Sequence, residues 1–483
     1  MNSLPRPFLA ALALSTMLAG CNLAPKYIRP LGAVPVDLPN GGVYPVAPSD
    51  APDLTRIGWR DFFTDPRLRT TIETGLANNR DLRIAAGNVL QARALYRVQR
   101  ADLLPSLNAT GGATTTNNVQ GTGGAGAGTG TGGGVATGGS SHLEIYQLGL
   151  GVSAFEVDLF GRVRNLSRAA QEQYFASEEA QRATRISLIA EIATAWLTMA
   201  SDQEQLKLSR QTLGAFAETR RLTSAQFRIG VASELEARQA DTNYQSARND
   251  IAALQTQVAQ DQNALNLLVG TTVPADQLPD GLGSGNATLD ALPGNVSSEL
   301  LLRRPDVLQA EHQLIAENAN IGAARAAFFP NISLTATLGT LSTALSGLFG
   351  GGSFTYSAGP SLSLPIFDAG RNKGNLDYAR ASQQVALATY EKAIQTAFRE
   401  VADALAQRGT IDEQVAAQTA RAGSAQVAAR LSDARYRAGV DSFLVSLDAQ
   451  RTAYAAQQAL VTTRLARASN LIAVYRTLGG GLQ

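Results

Sequence analysis

A chain of 483 residues with only 6% aromatic side chains favours thin, Ala-rich packing over a thick globular core, and no Pro/Ser-rich linker divides it. Its formal net charge of +1 offers no basic field for nucleic acid and no acidic tail. Nucleic acid is therefore not an expected partner.

At the N-terminus, Arg6, an apolar run from Phe8 to Leu18, and Leu18-Ala19-Gly20-Cys21 have the charge, length and small-residue ending of a secretory signal over residues 1–20. The run is too short for a stable membrane span. Its end also resembles the bacterial lipobox, in which the Cys becomes the acylated first residue of the mature chain. A chance Cys after an ordinary signal is the plain alternative, but Cys21 is the chain's one cysteine, so a covalent lipid there, palmitate included, is expected. Each buried methylene adds roughly 0.8 kcal/mol, and more than one acyl chain makes a stable anchor. Asn22 rather than Asp follows, so the familiar inner-membrane retention signal is missing and the outer membrane is the implied destination. Residues 21–60 read as a lipidated, Pro-rich tether running along the folded body.

No later apolar run of spanning length is free of charge; the best, residues 186–199, contains Glu191. Any later crossing of a membrane must use strands.

Self-similarity organises the rest. Asp81-Leu82 through Pro105-Ser106-Leu107 matches Asp306-Val307 through Pro330-Asn331-Ile332 without a gap, at an offset of about 225 residues. Farther on, Gln226-Phe227-Arg228-Ile229-Gly230-Val231 matches Arg435-Tyr436-Arg437-Ala438-Gly439-Val440, at an offset of about 209. The fold is a tandem duplication: residues 61–283 form the first repeat, residues 295–479 the second, and residues 480–483 a tail. Each repeat reads helix, strand, loop, strand, long helix, helix. The class is mainly α with a small β part.

In the second repeat a helix from about Pro305 ends before Pro330. Ile332, Leu334, Ala336 and Leu338 then alternate with Ser and Thr, and Leu362, Leu364 and Ile366 alternate with Ser after Phe354 and Tyr356. In the first, Tyr146, Leu148, Leu150 and Val152 alternate with Gln, Gly and Ser, while Leu107 and Ala109 begin a weaker partner strand. Residues 111–141, rich in Gly and Thr, read as a flexible loop between those strands. Their G-x-G-x-x-G matches open no helix after a buried strand, which removes a dinucleotide site.

Gly161-Arg162 and Gly370-Arg371 start helices that run to the tips at Gly230 and Gly439, where a Gly can take positive φ and a return helix begins. A helix of about 68 residues is roughly 100 Å long, several times a bilayer core. Its seam is legible in Leu387, Tyr390, Ile394, Ala397, Val401 and Ala404, and in Leu447, Tyr454, Val461, Leu465, Ala468, Ile472 and Tyr475 of the return helix.

Alternation of apolar with Ser, Thr and Gly over about ten positions fits a strand with lipid on one face and water on the other. A half-buried sheet in a soluble protein is the competing reading, but long helices and a lipoprotein signal favour the membrane. A membrane sheet cannot leave edges open, because each unpaired backbone group in hydrocarbon costs several kcal/mol. One chain supplies four strands and the smallest closed barrels need about eight, so chains must be pooled. Three chains give about twelve strands and a pore; two give a barrel filled by side chains.

Leu18-Ala19-Gly20-Cys21, Phe155-Glu156-Val157-Asp158-Leu159-Phe160-Gly161-Arg162, Arg303-Arg304-Pro305-Asp306-Val307, Pro365-Ile366-Phe367-Asp368-Ala369-Gly370-Arg371, and Tyr436-Arg437-Ala438-Gly439-Val440 with Leu447-Asp448-Ala449-Gln450-Arg451 together resemble the TolC-like outer membrane factor family, in its NodT-type lipoprotein branch. The resemblance covers nearly the whole mature chain. It implies a homotrimer: a twelve-stranded outer-membrane β-barrel continued by a periplasmic α-helical barrel. It implies passive export of drugs or other small toxic molecules, a periplasmic adaptor (membrane fusion) protein at the tips Gly230, Val231, Gly439 and Val440, and an inner-membrane pump of the resistance-nodulation-division type. It also implies a periplasmic gate at Tyr436, Leu444, Asp448 and Arg451.

Leu444, Asp448 and Arg451 fall at i, i+4 and i+7, on one helix face. Threefold symmetry would gather apolar and carboxylate rings at an axis, where they resist wetting and select ions. Arg451 could hold a neighbouring acid such as Asp441. A solvated Asp448/Arg451 pair worth a few tenths of a kcal/mol is the competing reading. The first-repeat counterparts Leu235, Gln239 and Thr242 do not carry the charge.

Catalysis and metal binding have no place in this pattern: His142 and His312 lack the partners of a metal or nucleophile site and read as surface residues. G-x-x-x-x-G-K-[ST] does not occur, so no ATP site is expected. A channel for type I protein secretion and a non-channel coiled-coil envelope lipoprotein are the alternatives.

Overall fold

The computed structural model describes residues 22–30, 32–45, 57–116, 143–283, 287–290 and 298–480. Cys21 and His142 lie outside the described residues.

The elements are α1 (Trp59–Phe62), α2 (Pro66–Asn78), α3 (Arg80–Ala101), β1 (Leu107–Thr116), β2 (Leu143–Glu156), α4 (Arg162–Arg228), α5 (Glu234–Val269), α6 (Pro305–Ala326), β3 (Asn331–Ser342), β4 (Phe354–Ser363), α7 (Arg371–Arg437) and α8 (Phe443–Thr477). From α3 to α5 and again from α6 to α8 the order is helix, strand, strand, long helix, helix. Both α4 and α7 have 67 residues, about 100 Å each, and neither contains a proline. Among the described residues no helix is apolar enough over a long enough stretch to cross a membrane.

Contacts divide the chain into two compact units. In the unit holding residues 91–174 and 313–386, the four strands form one antiparallel sheet in the order β1-β2-β3-β4. The repeats meet in its middle, where Gly149 faces Gly339; a Cβ at Gly339 would collide with the Leu148 carbonyl oxygen. Every residue of β1 and β4 is exposed, and each of these strands has one neighbour within the chain.

Two sequence expectations change here. Residues 111–116 are strand, not loop: Gly111 to Thr116 pair with Leu148 to Leu143. Backbone pairing against the apolar β2 decides this, since a Gly/Thr run carries no alternation of its own. Leu364 and Ile366 lie beyond the end of β4, and Ile366 is 94% exposed.

The other unit, residues 29–90, 175–312 and 387–483, holds the main core. Its seam residues are buried as the heptad spacing predicts: Tyr390, Ile394, Ala397 and Val401 on α7, and Leu447, Val461, Ile472 and Tyr475 on α8. The core is thicker than the aromatic content suggests. Trp59, Phe62, Phe63, Leu68 and Ile72 pack against Ile192, Trp196 and Leu265, and the Phe62 ring stacks on Tyr475 at 4.1 Å. The apolar run on α4 that holds Leu188, Ile189, Ile192 and Trp196 therefore serves this core.

Candidate functional site

Both hairpins turn through the same device. Gly230 has φ 77° and Gly439 φ 75°. The Gly230 amide donates to the Phe227 carbonyl at 3.0 Å and the Val231 amide to Gln226 at 2.9 Å; Gly439 donates to Tyr436 and Val440 to Arg435, each at 2.9 Å. This paired 5→2 and 6→1 pattern is a Schellman ending, and a side chain at either glycine would be held in the left-handed region.

The helices restart differently. Ser233 caps α5 in a reciprocal box with Glu236, whereas Ser442 precedes α8 without a side-chain bond. The second tip is closed instead by Arg435, whose Nε and Nη2 donate to Asp441 at 2.6 and 2.9 Å. That guanidinium holds the Asp441 carboxyl below its ordinary range. Arg435 occupies the position of Gln226 and Asp441 that of Ala232, so only the second tip can form this pair.

The first and second hairpins are tied together just behind the tips. The Tyr436 hydroxyl donates to Gln226 Oε1 at 2.8 Å, and its ring lies 5.4 Å from that of Phe443, in a small cluster with Ala240 and Leu447. Farther along α8, the Tyr454 hydroxyl donates to Asp250 Oδ2 at 3.0 Å and lies 2.7 Å from Ser209 Oγ. Burial pushes the Tyr454 phenol up to about 12, so it keeps its proton and remains a donor. Arg220 on α4 pairs with Asp241 on α5 at 2.7 Å.

Leu444, Asp448 and Arg451 are all exposed on one face of α8, while Phe443, Leu447 and Ala453 are buried. The Tyr436 hydroxyl is engaged by Gln226. No hydrogen bond or ion pair engages Asp448 or Arg451 among the described residues, and the Asp441 carboxylate is taken by Arg435 rather than Arg451. Val231 and Val440, beside the tip glycines, are exposed. Sequence reasoning missed Gln226, Ser209 and Asp250; Tyr454 stood in the predicted seam, and a phenol in an apolar seam signals a required partner.

In the other unit, the Phe160 ring stacks on Phe329 at 4.7 Å where strands give way to helices. The repeat counterparts, Phe367 and Leu104, make no such stack among the described residues and are 90% and 73% exposed. The segment following Cys21 is fastened to the same unit: Asn165 Nδ2 donates to Asn22 Oδ1 at 2.9 Å, Arg325 to the Leu23 carbonyl at 3.0 Å and Asn318 to the Pro25 carbonyl at 2.7 Å. His312 is half-buried with its ring 5.5 Å from that of Phe175, so it is not the surface residue expected. The described residues contain no His/Cys/Asp/Glu cluster able to hold a metal ion.

The family described as "Outer membrane efflux protein" matches residues 71–271 and 296–480, one stretch for each repeat. The chain belongs to the outer membrane efflux protein family. The "Toluene efflux pump outer membrane protein TtgC" of Pseudomonas putida is 45% identical over 471 residues, 96% of this chain and 93% of its own. The "Cation efflux system protein CusC" of Escherichia coli O157:H7 is 40% identical over 481 residues, 99% and 98% of the two chains. The open-state Neisseria gonorrhoeae MtrE outer membrane channel superposes with a TM-score of 0.84 at 37% identity, covering 96% of this chain and 99% of that one. This efflux protein is thus an outer-membrane channel extending into the periplasm, TolC-like and non-enzymatic in its family.

Proposed function

We propose that three copies of this efflux protein close one conduit, and that the observation carrying this reading is the unfinished contact at Phe367 and Leu104. Within the chain a residue before the long helix of one repeat stacks on a residue after the short helix of the other, Phe160 on Phe329. The reverse contact, Phe367 on Leu104, is not made among the described residues, and both side chains are exposed. A ring of chains supplies it, each Phe367 meeting Leu104 of the next copy. The same ring pairs β4 with a neighbouring β1 and removes both open sheet edges, which hydrocarbon would penalise by several kcal/mol per backbone group. Three chains of four strands make a twelve-stranded pore.

In this reading residues 1–20 are removed, Cys21 is acylated, and residues 21–60 tether the lipid to the body, consistent with the fastening of Asn22, Leu23 and Pro25. The two repeats span residues 61–283 and 295–479, ahead of the 480–483 tail. The tips Gly230, Val231, Gly439 and Val440 meet a periplasmic adaptor linked to an inner-membrane pump of the resistance-nodulation-division type. Leu444, Asp448 and Arg451 face the pore as its gate, with Tyr436 holding adjacent hairpins. The relatives named for toluene and for cations support small toxic molecules as the cargo.

The test is oxidative cross-linking of Leu104→Cys with Phe367→Cys in the otherwise intact lipoprotein. Trimers linked by disulfides in outer-membrane fractions, present only when both substitutions share a chain, are the expected result. Monomers alone under oxidation would reject the ring.

A further inference from the structure

The two repeats place the same pair of carboxylates beside the start of a helix, yet only one pair holds a cation. In the second repeat Arg304 stands just before α6 and is 6% exposed. Its Nε and Nη2 donate to Asp306 at 3.0 and 2.7 Å, Nη2 also reaches Glu400 Oε2 at 2.8 Å, and Nη1 donates to the Thr477 carbonyl at 2.9 Å. One guanidinium thereby joins the start of α6 to α7 and to the end of α8.

In the first repeat the matching positions are Asn79 for Arg304, Asp81 for Asp306, Glu191 for Glu400 and Leu268 for Thr477. Asn79 is 3% exposed and keeps one of the four contacts: its Nδ2 donates to the Leu268 carbonyl at 2.8 Å. Its Oδ1 accepts the Leu82 amide at 2.8 Å, so both ends of the amide are engaged at the helix start. The side chain is too short to go farther. Asp81 and Glu191 keep their carboxylates, and neither has a hydrogen-bond or ion-pair partner among the described residues. Between them lies a cavity of about 360 Å³, lined also by Thr184, Ser187 and Gln309. That is room for roughly ten waters at their liquid volume.

We propose that this cavity binds a small organic cation of the guanidinium class, which takes from solution the place that Arg304 fills in the second repeat. The planar guanidinium offers paired N–H donors matched to carboxylates, and such charge-assisted bonds are about twice as strong as neutral ones. Asp81 and Glu191 accept from it, and the Gln309 amide oxygen and Ser187 hydroxyl are acceptors at the rim. Because both carboxylates are exposed, binding is weakened by salt. Occupation fastens the start of α3 to α4, as Arg304 fastens α6 to α7. The site lies within one chain and does not depend on the ring of three.

The experiment titrates agmatine into the purified full-length protein at low ionic strength and reads heat and thermal midpoint, with tetramethylammonium as a cation lacking N–H donors. Saturable binding of one agmatine per chain and a raised midpoint are expected. Asp81→Asn with Glu191→Gln weakens binding by roughly tenfold or more, the loss of at least one charge-assisted pair. Asn79→Arg abolishes it, the new side chain filling the cavity. No saturable heat from agmatine, equal affinity in the Asp81/Glu191 double variant, or equal binding of tetramethylammonium would overturn the proposal. The double variant keeps the outcome decisive even if Asn79→Arg fails to fold, because it leaves the Asn79 contacts intact.

Discussion

Asp202 on α4 and Asp261 on α5 form a carboxyl pair with no cation beside it. Burial first, and then the hydrogen bond and charge of Asp261, push Asp202 up to about 6. Asp261 is 8% exposed; its Oδ1 accepts the Gln257 amide at 3.0 Å and its Oδ2 is buried with no hydrogen-bond donor among the described residues. In an unfolded chain an aspartate titrates near 3.9. The folded chain therefore retains a proton that the unfolded chain releases, and the stability this contributes is complete below about 4 and lost as pH rises through about 6. The thermal midpoint should fall between about pH 4 and about pH 6, and Asp202→Asn should flatten that part of the profile. An unchanged slope in the variant would remove the shared proton. The second repeat has Ile411 and Asn470 at these positions, so the effect belongs to the first hairpin alone. Residue roles of this kind were least legible beforehand. Spacing put Leu444, Asp448 and Arg451 on one face, but it could not show that Asp441 closes its own tip through Arg435, because that contact depends on the backbone path around Gly439.

At the level of elements, the helices were read well where composition and punctuation agree. Pro330 and the tip glycines bound Ala-rich stretches, and the structure ends α4 and α7 at Arg228 and Arg437. Strand β1 was cut short because Thr and Gly carry no alternation, and its six further residues are strand through pairing with β2. The small helices α1 and α2 went unread, although they bring Trp59, Phe62 and Leu68 into the core; for α2 the Asp65-Pro66 start and Leu68, Ile72 and Leu76 four residues apart were the available signal. The two return helices make a direct comparison. Ser233→Ala removes the hydroxyl half of the capping box, the bond accepted from the Glu236 amide, and should cost about 1 kcal/mol. Ser442→Ala, with no side-chain bond to lose, should change stability by much less. Chemical denaturation of the two variants side by side checks the difference, and equal losses would contradict the assignment of the caps.

For the whole molecule, duplication is the property from which the rest follows. Each repeat alone leaves a two-stranded edge and a long helix with one side uncovered. Joining two repeats satisfies half of these needs, as the stack of Phe160 on Phe329 and the central pairing of β2 with β3 show. The other half is left on Phe367, Leu104, β1 and β4. That several chains must be pooled was legible from the count of strands, whereas Phe160, Phe329, Phe367 and Leu104 needed the coordinates. The proposed gate would be a property of the assembly, since Leu444, Asp448 and Arg451 are exposed and no ion pair engages Asp448 or Arg451 among the described residues. Asp448→Ala or Arg451→Ala should raise single-channel conductance by widening or loosening the closed end, and identical conductance in both variants would take the gate away from this face.

The central claim is that identical chains complete a conducting pore. Purified lipoprotein added to a planar lipid bilayer should produce discrete, uniform conductance steps, from a species whose mass is three chains. A monodisperse single chain that leaves the bilayer electrically silent would contradict it.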